Sequence, residues 1–112
     1  MMKDEWLKAL RSGDYTQAKS GHLRNKNSYC ALGVLAEIHP DLEWEMDVFF
    51  GQEGDMDVCH DKVSGHRSRL YLPERVIPRH FQNDIGKLNS KQESTFEKIA
   101  QFIEKAWKEN ER

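Results

Sequence analysis

The stretch from Cys30 to Phe50, CALGVLAEIHPDLEWEMDVFF, changes its hydrophobic period at Pro40, and that change decides the fold class. Before the proline, Cys30, Ala31, Val34, Leu35 and Ile38 recur at three- and four-residue steps, the spacing that collects side chains on one helix face. Gly33 sits among them and leaves room for a neighbouring backbone. After it, Leu42, Trp44, Met46, Val48 and Phe50 alternate with Glu43, Glu45, Asp47 and Phe49, so an extended strand has one apolar and one mostly acidic face. A buried helix followed by an alternating strand predicts an α+β domain.

The flanks fill in the architecture. Residues 3–11 begin with acids, end with a base and gather Trp6, Leu7 and Leu10 on one face of a short helix that Gly13 can close. Asp14 and Gln17 suit a second short turn, and residues 22–29 read as an extended piece, a polar turn and a return. Beyond Phe50, Gly51 and Gly54 mark a turn before a return strand carrying Met56, Val58 and His60. A third short strand spans Arg69 to Leu72, Pro73 opens a brief helix over Glu74 to Ile77, and His80 to Ser90 reads as a loop anchored by Ile85 and Leu88. Ser94 and Glu97 form a capping-box pattern ahead of a helix with Phe96, Ile99, Ala100, Ile103 and Trp107 inward, and Glu104 and Lys108 are spaced to pair. The expectation is one domain, 1–112: a small antiparallel sheet of two or three strands packed against N-terminal, central and C-terminal helices.

Composition narrows the setting. The chain has 112 residues, 38% of them apolar and 10% aromatic, too many for a disordered segment. It contains no apolar run long enough to span a membrane, and its MMKDEWLK start lacks the apolar core of a secretory signal, so a cytoplasmic protein is expected. Its two cysteines, Cys30 and Cys59, are then free thiols. Charge is segregated: residues 31–61 hold nine acidic side chains and no Lys or Arg, whereas 62–112 hold eleven basic against seven acidic. Such a segment repels nucleic acid and suits a partner with a basic surface.

Trp6, Ala9-Leu10-Arg11-Ser12-Gly13, Tyr15, Gln17, Leu23-Arg24, Cys30-Ala31-Leu32-Gly33-Val34-Leu35, Leu72-Pro73, Val76, Leu88-Asn89, Phe96, Ile99-Ala100 and Ile103-Glu104 together resemble a small uncharacterised family of bacteriophages and bacterial genomes. Members usually read C-C-L-G-V-L and L-N-D, where this chain has Tyr29 and Ser90. The resemblance implies a mobile-element accessory protein working in the cytoplasm of a bacterial cell, and it supplies no reaction.

Three readings of the residues follow. In the leading one the protein is non-catalytic, and Glu43, Glu45, Asp47, Glu53, Asp55 and Asp57 offer carboxylates to a basic protein partner, for instance a host defence factor that the protein would block. An alternative is a cysteine hydrolase: Cys30 heads a helix, a position that lowers a thiol pKa, and His60, His66 or His22 with Asp61 would supply base and orienter. Another is nucleic-acid or anion binding through Arg67, Arg69, Arg75 and Arg79, grouped with His66 and His80, with Tyr71 stacking a base or a ring. No cofactor or metal is expected: Cys30, Cys59, His60 and His66 match no zinc spacing, and Glu53, Asp55 and Asp57 lack the glycine and terminal Glu of a calcium loop. A homodimer through an uncovered edge strand is compatible with Phe49 on the polar face.

Overall fold

The structure, a computed structural model, describes residues 3–19, 22–25, 27–47 and 56–110. Helix α1 (Lys3–Arg11) follows the charge pattern, with Asp4 and Glu5 in its first turn and Lys8 and Arg11 in its last. Trp6, Leu7 and Leu10 are buried, and Gly13 follows with φ of +81°, the left-handed conformation that lets the chain turn away.

Residues 16–17 form no helical turn. They are strand β1 (Thr16–Gln17), which pairs in parallel with β3 (Ser28–Tyr29), while β2 (Arg24–Asn25) pairs antiparallel on the other side of β3. A two-residue strand has no periodicity to read, and this one is held by a distant partner, as in the 2.7 Å bond from Ala18 N–H to Tyr29 O.

Helix α2 (Ala31–Ile38) is the centre of the molecule: every residue from Ala31 to Ala36 is buried, and the helix packs on α1 and β3. The backbone of Leu23 crosses Gly33, and its carbonyl accepts the Cys30 N–H at 3.0 Å. Three further groups secure the start of the helix. Cys30 Sγ accepts the Gly33 N–H at 3.4 Å, Asn89 Oδ1 accepts the Ala31 N–H at 3.2 Å, and the Trp6 indole donates to Ala31 O at 2.9 Å.

A second sheet, in the order β4-β5-β6, follows. It comprises β4 (Leu42–Asp47), β5 (Met56–Asp61) and β6 (Arg67–Ser68), all antiparallel. The β4 to β5 register sets Leu42 opposite Asp61 and Trp44 opposite Cys59 on the core side, and Glu43 opposite His60 and Glu45 opposite Val58 on the outer side. The apolar alternation of Met56 and Val58 therefore aligns with the acids of β4, and Asp57, Cys59 and Asp61 form the inner row of β5. Val48 to Phe50, the Gly51 to Gly54 turn, Glu53 and Asp55 lie outside the described residues. The third strand is shorter and earlier than the spacing predicts, and Pro73 opens a turn in which both Val76 N–H and Ile77 N–H reach Pro73 O.

The expected loop after Pro78 is a twelve-residue helix, α3 (Arg79–Ser90). Its start signal is absent because Pro78 makes no side-chain cap bond and no acid stands in the first turn. Phe81 and Ile85 bury its apolar face, and Gln82 clips the preceding loop by donating to Leu72 O and Ile77 O while accepting the Leu72 N–H. Helix α4 (Phe96–Asn110) is capped by Thr95, whose Oγ1 accepts the Lys98 N–H, and not by a Ser94–Glu97 box. Ser94 is buried and bonds to Asn89 O and Lys91 O, and Glu97 pairs with Arg11. Helix α2 also packs on α3 and β4, and α4 closes the core against α1 and α3. The α+β class stands, with helices flanking two small sheets. Among the described residues no helix is long and apolar enough to cross a membrane.

Candidate functional site

Much of the acidic middle of the chain folds onto arginines from its two ends. Asp61 is fully buried at the end of β5, where Arg75 Nε reaches Oδ2 at 2.9 Å and Nη2 reaches Oδ1 at 2.5 Å. Ser64 Oγ and Val63 N–H also donate to Asp61. The hydrogen bonds from Arg75 outweigh burial and hold this carboxyl well below the usual range. Arg75 also meets Asp41 at 3.3 Å. Asp57, in the same inner row, accepts from Arg24 Nε at 2.8 Å. The Arg24 guanidinium lies 4.3 Å from the centre of the Trp44 ring, and Glu37 Oε1 accepts from Tyr29 O–H and Trp44 Nε1–H, each at 3.1 Å. Asp57 thus joins a packed internal node and does not lie on the outer acidic face.

On the outer face the register brings together groups that are distant in sequence. His60 Nδ1 is 2.9 Å from Glu43 Oε1 and 3.6 Å from Glu45 Oε2, and Arg67 Nε donates to Glu45 Oε1 at 2.6 Å. Asp47 ends the same strand. One ligand atom from each of Glu43, Glu45 and His60 lies within 4.8 Å of the others, a combination suited to a divalent metal, but Arg67 already holds one of the oxygens. Sequence spacing does not reveal this cluster, because it depends on which residue of β5 faces Glu43.

Cys30 does cap a helix, yet its thiol is not activated. Burial pushes it from the ordinary value near 9 up to about 11, against the smaller opposing effect of the Gly33 N–H. Its sulfur accepts the Gly33 N–H, His60 faces Glu43, and Asp61 is clamped by Arg75. The proposed Cys30, His60 and Asp61 arrangement is not assembled. Cys59 is also buried, and burial pushes it up to about 12.

The four arginines of the basic segment separate. Arg67 belongs to the outer sheet face, Arg69 O accepts the Leu23 N–H, Arg75 serves Asp61, and the Arg79 guanidinium sits 4.0 Å from the centre of the Tyr71 ring. Arg75 and Arg79 nevertheless share a cleft of about 610 Å³ with Ser64, His66, Pro73 and Glu74. His66 belongs to the basic run, and Glu74 is the acid that the cleft adds to it.

These features define a small α+β domain in which Arg11, Arg24, Arg67 and Arg75 pair with carboxylates. A family model described as "Domain of unknown function (DUF8296)" matches residues 1–78, and the chain belongs to that family. It is also similar to a Saccharomyces cerevisiae protein named "Putative pyridoxal kinase BUD16", 31% identical over 104 residues, covering 77% of this chain and 33% of the yeast protein. The chain thus spans about a third of the length of that curated relative. No solved structure matches it.

Proposed function

We propose that this is a non-catalytic accessory protein of phage or prophage type that works in the cytoplasm by binding a protein partner with a basic surface. The observation that carries the reading is the pair Glu43 and Glu45, held on the outer face of a regular strand with their side chains 45% and 37% exposed. Fixed carboxylates on a rigid sheet steer and orient a cationic partner more than they tighten its binding. A host defence factor whose nucleic-acid groove is lined with Lys and Arg fits that chemistry. The kinase activity in the yeast relative's name is not carried over, because the chain spans a third of that protein and its sequence holds no Gly-rich phosphate loop.

The test compares capture of host-cell proteins by the wild type, by the double variant Glu43→Lys, Glu45→Lys, and by Arg67→Gln, which uncovers Glu45. The reading predicts one partner whose recovery falls roughly tenfold or more in the double variant and rises with Arg67→Gln, with unchanged circular dichroism. Equal recovery by all three proteins overturns it.

A further inference from the structure

We infer that the cleft between the 64–66 turn and the start of α3 binds a small organic anion carrying a phosphate group. The inference does not depend on the acidic face. It begins from how the arginines are matched: Arg11, Arg24, Arg67 and Arg75 each form an ion pair with a carboxylate. Arg79 differs, because its contact is the Tyr71 ring, and among the described residues its N–H donors meet no carboxylate. A guanidinium has five donors in a planar fork that matches phosphate, and a ring beneath it fixes the plane without using the donors.

Arg79 opens onto the cleft that Arg75 and His66 also line; Arg75 is matched by Asp61 and Asp41, so Arg79 carries the charge and His66 adds an imidazole to the same concavity. Its volume of about 610 Å³ falls within the range of small-molecule sites. That is larger than a bare phosphate needs and leaves room for an organic group beside Arg79 and Pro73. Glu74, an acid on the rim, opposes an anion and supplies a control.

The experiment titrates the whole chain, labelled with ¹⁵N, with phenyl phosphate, inorganic phosphate, benzoate and a short single-stranded oligonucleotide while amide shifts are followed. Phenyl phosphate should move the amides of Gly65, His66 and Arg79 and bind more tightly than either phosphate or the singly charged benzoate. Arg79→Gln should weaken it roughly tenfold with an otherwise unchanged spectrum, and Glu74→Gln should strengthen it. The inference is overturned by an absence of shifts at these residues, by affinity unaltered in Arg79→Gln, or by benzoate matching phenyl phosphate. Preference for the oligonucleotide equally overturns the assignment to a small molecule.

Discussion

The carbonyl oxygen of Leu23 occupies the space that a side chain at position 33 would need: a Cβ built on Gly33 comes within 1.8 Å of it. The obstacle is backbone, and the same carbonyl accepts the Cys30 N–H at the head of α2, so neither element can retreat without loss. Gly33→Ala gains about 1 kcal/mol of helix propensity and still costs about 3 kcal/mol or more overall. Denaturant unfolding measures it; a change below about 1 kcal/mol would show that the contact yields.

Asn89 links α3 to α2, to β1 and to the residue after β1 through one buried amide. Its Oδ1 accepts from Ala31 N–H and from Gln17 Nε2–H, and its Nδ2–H donates to Ala18 O at 2.8 Å. Asn89→Ala leaves a helix N-terminus and the Ala18 carbonyl without their side-chain partner, at a cost of about 2–3 kcal/mol and roughly 10 °C in Tm. Thermal unfolding within about 3 °C of the wild type would mean that water replaces the amide.

The Asp61 clamp makes stability depend on acid. Its folded pKa lies below the unfolded one, so the unfolded chain takes up the proton first as pH falls. The stabilisation is complete above the ordinary carboxylate range and is lost as pH drops toward the folded value. Glu45 and Glu104, lowered by hydrogen bonds from Arg67 and Arg11, act in the same direction. The wild-type Tm should decline between about pH 5 and pH 2, and Arg75→Leu should lower Tm at neutral pH and flatten that decline. Parallel curves for the two proteins would remove Asp61 as the source.

The thiols act at the other end of the pH scale. Cys30 and Cys59, raised by burial to about 11 and about 12, contribute stability that is complete below the ordinary thiol value near 9 and lost as pH climbs through the folded values. Iodoacetamide at pH 8 should leave both unmodified in the folded chain and label both in denaturant, read by intact mass. Rapid labelling of Cys30 under folding conditions would revive it as a nucleophile.

Helices α1 and α2 and the strand β4 were legible in the sequence because their signals are local. Trp6, Leu7 and Leu10, or Val34, Leu35 and Ile38, announce a buried helical stripe whatever they pack against, and the alternation from Leu42 to Asp47 announces a two-faced strand. Helix α3 was hidden because its start lacks a cap and an acid, and what holds it is Gln82 and Asn89 bonding to backbone far along the chain.

By itself, then, the sequence determined the α+β class, the central place of the Cys30 to Ile38 segment and the separation of acids from bases. Tertiary structure alone decided which charges remain outward. Strand register turned Asp57 and Asp61 toward Arg24 and Arg75 and left Glu43 and Glu45 outside, and the fold brought His66 beside Arg75 and Arg79. The physical reason is range: periodicity is a property of neighbours three or four residues apart, whereas an ion pair needs two groups within about 4 Å, which only the folded chain provides.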